Sequence, residues 1–172
     1  MDIALQTVTE MITQRGYKII DEDDDKLIGT NVEGDQVVVF KQPVLKFNVD
    51  RVKEYINLLH KMKMNHCIVI YTDSVTSMTK KLVANSVDIN IELFTQEELQ
   101  YNITKHRLVP QHIHLSPAEA KEFKEKFGLQ HPAILRSDPI ARFYAYKRGD
   151  VIKILRETGE GKRFVTYRIV KG

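Results

Sequence analysis

Carboxylates and a lysine around a short apolar run are the arrangement in this sequence that comes nearest to a catalytic site. Asp35 precedes the apolar run at 37–40, and Lys41 follows it. In one class of nuclease, carboxylates on adjacent strands hold a metal ion and a lysine polarises the attacking water. That pattern needs a carboxylate two residues before the lysine, where this chain has Val39. The missing ligand argues against catalysis and leaves a degenerate metal-dependent nuclease as an alternative only.

The acidic run at 21–25 has part of the spacing of a calcium-binding loop. Such a loop alternates oxygen ligands, turns at a glycine and ends on a bidentate glutamate. Lys26 stands at the glycine position and Val32 at the glutamate position. The run therefore predicts a solvated loop and no calcium site.

Histidines are the remaining candidates for metal ligands. They are His106, His112, His114 and His131. A zinc site needs three or four converging ligands, and Cys67 is the only cysteine, so a two-cysteine motif is excluded. No glycine-rich phosphate loop and no nucleophile motif occurs either. We therefore expect no catalytic residue, no metal, no cofactor and no small-molecule substrate.

The composition is that of an ordinary globular protein. Of the 172 residues, 42% are hydrophobic and 28% are charged, enough for one domain or two small ones. A single cysteine allows no internal disulfide, which suits a reducing compartment. The N-terminus lacks a signal-peptide pattern, and no apolar run reaches the length of a membrane span. The expectation is a soluble intracellular protein without a membrane partner.

Charge is divided unevenly along the chain. Residues 1–100 have a net charge of −5, and residues 101–172 have a net charge of +8. A basic half is compatible with nucleic acid, with an acidic protein partner or with a solvated surface. Composition alone leaves these three readings open.

The first hundred residues alternate helical and strand patterns. An apolar spacing that ends at Gly16 predicts the first helix. Residues 26–46 predict a strand or hairpin followed by a break at Pro43. Asn48 caps a second helix, and the apolar run at 67–71 predicts a strand covered on both faces.

A third helix and a last strand complete this half. Ser74 or Thr76 opens the helix, and Thr95 with Glu98 forms a capping box for a short helix after the strand. The side chains of the third helix expected to face inward are Val75, Met78, Leu82 and Val83. This order of elements is that of an α/β domain whose later strands can run parallel.

The pattern changes around Leu108, so we place the boundary between two domains, 1–100 and 101–172, shortly before it. Ser116 with Glu119 is a capping box that opens the main helix of the second domain, and Gly128 ends it. The side chains of this helix expected to face inward are Ala120, Phe123 and Phe127.

The end of the chain predicts a short helical turn and a β-hairpin. Asp138 caps the turn, and Pro139 occupies its first position, where the missing N–H costs nothing. A tight turn at Gly149 then leads into two strands joined by a glycine-containing loop. In the second strand the residues expected to be buried are Val165, Tyr167 and Ile169, with Arg163 and Arg168 outward.

Four ordered blocks in the last third of the chain resemble a known family. They are LVPQH at 108–112, SDPIARFY at 137–144, KRGDVIKILR at 147–156 and FVTYRIV at 164–170. The chain resembles the fifth subunit shared by eukaryotic nuclear RNA polymerases, whose C-terminal module is similar to a small subunit of archaeal RNA polymerase. Within these blocks we expect Pro110, Asp138, Pro139 and Gly149 to be structural.

The resemblance implies a fold and a task. The fold is α+β overall, with an N-terminal α/β jaw domain and a small C-terminal α+β assembly module that ends in a β-hairpin. The task is that of a noncatalytic subunit of DNA-dependent RNA polymerase, docked on the largest subunit among the other polymerase subunits and working in the nucleus. Candidate donors to the largest subunit are Arg142, Lys147, Arg148, Lys153 and Arg168.

The resemblance also implies a contact with downstream double-stranded DNA. In the family, the helix start after the central strand of the jaw domain lies beside the duplex and has a Thr-Pro-Ser-like sequence. This chain has Thr76, Ser77, Lys80 and Lys81 at that place, with Ser77 where the proline would be. Hydroxyls, a helix N-terminus and two lysines suit phosphates rather than bases.

One departure from the family concerns origin. The span between Tyr17 and Val37 is much shorter than in typical eukaryotic members, which fits a divergent copy such as one encoded by a large DNA virus. A viral copy would work in a host cytoplasmic factory, the nucleus or the virion.

Besides the degenerate nuclease, the second alternative function is that of a DNA-binding or protein-interaction accessory factor outside polymerase.

Overall fold

An interior strand of the first sheet is the buried apolar run that the sequence indicates. The structure is a computed structural model that describes residues 2–172, and the chain forms two compact units, Met1–Tyr101 and Asn102–Gly172. The strands of the first unit are β1 Lys18–Glu22, β2 Lys26–Thr30, β3 Gln36–Val44, β4 His66–Tyr71 and β5 Asn90–Thr95. Their spatial order is β1-β2-β3-β4-β5, with β4 between two neighbours. Every apolar residue of β4 is buried, as predicted.

Connection length decides the direction of each strand pair. Short turns join β1, β2 and β3, which pair antiparallel, while helical crossovers join β3, β4 and β5, which pair parallel. The helices are α1 Ile3–Gln14, α2 Val49–Met62 and α3 Ser77–Ala84. Their N-caps are Asp2, Asn48 and Thr76. The predicted cap of the second helix is confirmed, and of the two alternatives for the third helix, Ser74 and Thr76, the cap is Thr76.

Helices cover both faces of the first sheet. α2 buries Val52 and Leu59 in a cluster with Val38 and Val69, on one face. α1 lies on the other face, where the Ile12 Cδ1 is 3.6 Å from the position that a Cβ on Gly29 would take. None of the helices within residues 2–172 has both the length and the apolar character to cross a membrane.

Pro43 does not end its strand, contrary to expectation. β3 continues through Pro43 to Val44. The register of β3 against β4 shifts between Phe40 and Val44, so the ladder is irregular where the residue without an N–H lies. The bulge therefore accommodates the proline.

The acidic run is only partly a loop. Asp21 and Glu22 belong to β1, and the turn into β2 is confined to residues 23–25. The side chain of Asp23 accepts hydrogen bonds from the N–H groups of Asp25 and Lys26 and pairs with the Lys26 ammonium. These carboxylates thus form a hairpin turn.

The burial predicted for two side chains of α3 is wrong. Met78 and Leu82 are 74% and 39% exposed, whereas Thr79 is 1% exposed. Residues four apart share one side of a helix, so Met78 and Leu82 both face solvent. Val75 and Val83 pack against the core as expected.

The capping box at Thr95 forms, but no helix follows it. The Glu98 N–H donates to Thr95 Oγ1 at 3.0 Å, and the Thr95 N–H donates to Glu98 Oε2 at 2.8 Å. Residues 96–99 are turns. A capping box satisfies only the first turn, and extension needs a packed apolar face.

The second unit is a four-stranded sheet between two helices. Its elements are β6 Gln111–His114, α4 Pro117–Phe127, β7 Ala133–Leu135, α5 Pro139–Phe143, β8 Val151–Glu157 and β9 Arg163–Lys171, after a short 3-10 helix, Ile103–Lys105. The order is β6-β8-β9-β7, with β7 and β9 parallel. The hairpin of β8 and β9 and the capping box at Ser116 are confirmed. The sequence missed β6 and β7, which are only four and three residues long.

The two helices bury different faces of the hairpin. Phe123 of α4 packs on Val151 and Ile169, while Ala141 of α5 packs with Ile152 and Val170. The single-face burial predicted for the second strand is therefore wrong. Ile169 is buried and Tyr167 half-buried, but Val165 near the hairpin tip is 41% exposed.

Phe127 is also exposed, at 57%, although it was expected inward. It is the last residue of α4, and its ring is tilted against that of Phe123, with ring centroids 5.2 Å apart. The end of α4 extends past the apolar cluster, so Phe127 is on the inward side of the helix but remains largely outside the core.

The overall α+β class is confirmed by the two sheets and their helices.

Candidate interaction sites

The start of α3 presents the predicted phosphate-binding residues on one exposed segment. Thr76 Oγ1 accepts from the Thr79 N–H at 3.2 Å and lies 2.9 Å from Thr79 Oγ1, which fixes the first turn. Thr76, Ser77, Lys80 and Lys81 are all exposed. A helix N-terminus with two lysines one turn on suits an anionic backbone. The Thr76 oxygen is already used by the cap, so the lysines and the Ser77 hydroxyl are the better contacts.

The donors predicted to meet a partner do not form one patch in the second unit. Lys147 and Arg148 are exposed in the turn before β8, and Arg142 is half-buried in the last turn of α5. Lys153 is opposite Tyr167 in the hairpin, and Arg168 is opposite Ile152. Because neighbouring positions in a strand alternate faces, Lys153 lies on the α4 face and Arg168 on the α5 face.

Three of the four residues predicted to be structural, Asp138, Pro139 and Gly149, lie in the turns around α5 and β8. Asp138 Oδ1 accepts from the Ile140 N–H at 2.8 Å, with Pro139 at the first helical position. Gly149 has a φ of 91°, which a side chain would strain. Its N–H donates to Val170 O at 2.9 Å, and its carbonyl accepts from Lys124 Nζ at 2.8 Å. These bonds tie the turn to both β9 and α4.

A cleft of about 460 Å3 opens in the second unit. Its lining residues are Leu108, Val109, Pro110, His112, Ala133, Ile134, Leu135, Ser137, Asp138, Ile140, Ile154, Arg156 and Arg168. Ile134, Ile140 and Ile154 are buried, at 5%, 7% and 2% exposure, and form an apolar floor. The cleft thus combines three of the predicted residues, Pro110, Asp138 and Arg168, with side chains that the sequence did not single out as a site.

Charged groups surround the imidazole of His112 in this cleft. Its Nδ1 lies 2.8 Å from Pro110 O. Burial lowers the pKa of His112; Asp138 acts to raise it, and Arg156 and Arg168 act to lower it further. Arg168 also donates through Nη1 to Ala133 O at 2.9 Å. Sequence reasoning missed Arg156 because an exposed arginine in a strand has no distinguishing local pattern.

A second polar cluster lies inside the first unit. Arg15 forms two bonds with the Glu92 carboxylate, at 2.7 and 2.8 Å, and His66 Nε2 lies 2.7 Å from the same carboxylate. Burial acts to raise the pKa of Glu92, but the charge of Arg15 and the bonds from His66 and Arg15 outweigh it and lower the pKa well below its usual range. This cluster joins the end of α1 to β4 and β5. Because Arg15 and His66 both bind the Glu92 carboxylate, we infer a structural role and call these three residues the Glu92 clamp.

The possible catalytic residues are engaged elsewhere. Asp35 accepts from Asn31 Nδ2 at 3.1 Å, while Lys41 pairs with Glu22 at 2.6 Å. Burial, with a contribution from Glu92, raises the pKa of the Cys67 thiol to about 12. Within residues 2–172, no three His, Cys, Asp or Glu side chains converge as metal ligands do.

Comparison with known proteins shows that the second unit of the chain matches one protein family. Residues 101–170 match the family described as RNA polymerase Rpb5, C-terminal domain. The chain is 33% identical, over 78% of its length and 72% of the relative's, to DNA-directed RNA polymerases I, II, and III subunit rpabc1 of Dictyostelium discoideum. It is 27% and 26% identical to the RPABC1 subunits of Caenorhabditis briggsae and Caenorhabditis elegans, over 96% of its length and 92% of theirs.

Proposed function

This chain belongs to the RNA polymerase Rpb5 family, and we propose that within polymerase its C-terminal unit docks on the largest subunit while its N-terminal unit lies beside downstream double-stranded DNA. As a member of the family it is a noncatalytic component of DNA-directed RNA polymerase. The eukaryotic relatives favour the nucleus as its place of work.

One observation carries the docking half of the proposal. The family match at 101–170 spans nearly the whole of the second unit, Asn102–Gly172. That unit has a net charge of +8 and offers arginine and lysine donors in its turns and strands. Arginine side chains are frequent anchors in protein interfaces and pair well with carboxylates. An assembly role therefore has both a matching family domain and suitable chemistry.

The DNA half is supported by the geometry of α3. Thr76, Ser77, Lys80 and Lys81 are exposed around one helix N-terminus. Phosphate contacts of this kind position a protein on a duplex without reading sequence. The first unit as a whole is acidic, with a net charge of −5 over residues 1–100, so the two lysines beside this helix N-terminus supply positive charge where the proposed DNA contact needs it.

Affinity purification of the full chain and of its two units tests the assembly role. We expect the full chain and residues 102–172 to copurify with polymerase subunits, and residues 1–101 to recover none, because the docking donors lie in the second unit. Mass spectrometry of the recovered proteins, with circular dichroism as a control for folding, makes the measurement. Recovery through residues 1–101 alone would reverse the docking assignment, and absence of polymerase from the full-chain sample would favour an accessory factor outside polymerase.

A further inference from the structure

We propose that the cleft beside α5 binds a short acidic segment of a partner polypeptide, with a carboxylate at Arg156 and Arg168 and an aliphatic side chain over the isoleucine floor. This inference deepens the proposed docking function and rests on it. It names a chemical class of ligand for one defined place on the C-terminal unit.

The apolar lining favours a peptide over a simple anion. Ile134, Ile140 and Ile154 form the floor. At the rim, Leu108 and Leu135 are 74% and 56% exposed. Covering exposed leucine side chains removes apolar surface from water, which favours association. A peptide with an aliphatic side chain gains this stabilisation, whereas a bare anion does not.

The cationic groups at the cleft have capacity for a ligand. Within residues 2–172 the Arg156 guanidinium makes no hydrogen bond or ion pair to another side chain. Arg168 uses Nη1 on Ala133 O, and an arginine has further N–H donors. The nearby carboxylate of Asp138 accepts from the Ile140 N–H at the start of α5. A carboxylate from outside would complete the pairing that Arg156 lacks.

His112 supplies an acceptor beside these donors. Pro110 O can only accept, so the Nδ1 atom 2.8 Å away carries the proton. Burial lowers the pKa of His112, which favours the neutral ring and leaves Nε2 as an acceptor. A polypeptide backbone offers N–H donors for such an atom, whereas a phosphodiester backbone offers none. The donor and acceptor pattern therefore favours an acidic peptide over the phosphodiester backbone of a nucleic acid.

The test uses the full chain and an array of overlapping 15-residue peptides that cover the polymerase subunits of a eukaryotic relative. We expect the chain to capture peptides with both carboxylates and aliphatic side chains. Arg156→Glu should weaken the captured peptides by at least about tenfold, the effect of losing one charge-assisted contact. Arg163→Glu is the matched control, because it makes the same charge change at an exposed position of the same hairpin that does not line the cleft. Arg163 pairs with Glu157, the residue that follows Arg156 in β8.

Methyl NMR of the full chain locates the bound peptide. Peptide addition should shift the methyl signals of Ile134, Ile140 and Ile154 and leave those of the first unit unchanged. Capture of mainly basic peptides, equal binding by wild type and Arg156→Glu, or shifts outside the cleft would overturn the proposal. So would a 20-nucleotide single-stranded RNA that shifts the same methyl signals at lower concentration than the peptides.

The same variants separate this inference from the proposed function. If peptides bind the cleft but the full chain recovers no polymerase subunit, the cleft stands and the polymerase role fails. If Arg156→Glu copurifies with polymerase as wild type does and binds the peptides equally well, the cleft assignment fails and the polymerase role stands.

Discussion

Asp138 shows how one side chain sets local geometry in the C-terminal unit. Its carboxylate caps α5 through the Ile140 N–H, and α5 then places Ile140, Ala141 and Phe143 in buried positions. The same residue lines the cleft. Asp138 therefore contributes both to the cap of α5 and to the lining of the cleft.

Replacing Asp138 by alanine removes this cap. We expect Asp138→Ala to lower the free energy of unfolding of the C-terminal unit by about 1 kcal/mol, while Asp138→Asn should stay close to wild type because an amide oxygen can also cap. Urea unfolding of the full chain, followed through the methyl signals of Ile152, makes the measurement. Equal midpoints for all three proteins would mean that the cap adds nothing to stability.

Glu92 has the corresponding role in the first unit, where it binds Arg15 and His66 at once. The side chains of Arg15 and Glu92 are only 4% and 15% exposed. Removing one member of a buried ion pair leaves an uncompensated charge, which costs roughly 3 to 5 kcal/mol. The clamp is therefore sensitive to the ionisation of one carboxyl group.

Glu92→Gln should destabilise the first unit at neutral pH by about 3 kcal/mol. Because the folded pKa of Glu92 is lower than its value of 4.5 in the unfolded chain, its contribution is present above pH 4.5 and is lost as the pH falls toward the lowered folded pKa. Urea unfolding at pH 7 and pH 3 should show a larger loss in wild type than in Glu92→Gln. Glu54→Gln, in an exposed pair with Arg51, is the control and should change little. An identical pH dependence in wild type and Glu92→Gln would refute the clamp.

At the scale of elements, α3 has a hydrogen-bonded N-cap and an outer side that is exposed to solvent. Thr76 and Thr79 fix its first turn, and Thr79, Val75 and Val83 hold it against the core. Lys80 and Lys81 are exposed, so changing them should leave the fold intact.

Lys80→Ala with Lys81→Ala should weaken the hold of polymerase on downstream duplex without affecting assembly. Removing one phosphate contact lowers the slope of log K against log salt by about 0.9, so the double variant should show a slope reduced by up to about 1.8. Dissociation of elongation complexes across a salt titration makes the measurement. Lys53→Ala with Lys61→Ala, two exposed lysines of α2, is the matched control for net charge. Dissociation of the Lys80 and Lys81 variant at wild-type rates would remove this contact from the proposal.

At the scale of the whole molecule, the charge of the chain is partitioned between its two units. The first has a net charge of −5 and the second of +8. The basic second unit suits an anionic partner, and in the acidic first unit the exposed Lys80 and Lys81 of α3 offer local positive charge for the proposed DNA contact. The two proposed contacts thus both set basic side chains against an anionic partner, one contact in each unit of the chain.

The sequence by itself determined the features that depend on near neighbours. The caps at Asn48, Thr76, Ser116 and Asp138 could be predicted because each is a bond between residues two or three apart. The buried strand β4 could be predicted because its apolar run is continuous. The four ordered blocks likewise identified the family.

Only the tertiary structure decided which positions are covered and which distant residues meet. Met78, Phe127 and Val165 are apolar residues at positions in the helix or strand repeat that are typical of core residues, yet each is exposed because no neighbouring element covers it. Arg15 and Glu92 are 77 positions apart, and Arg156 reaches His112 through the pairing of β6 with β8. Burial and charge pairing depend on chain segments brought together by folding, so no local pattern contains them.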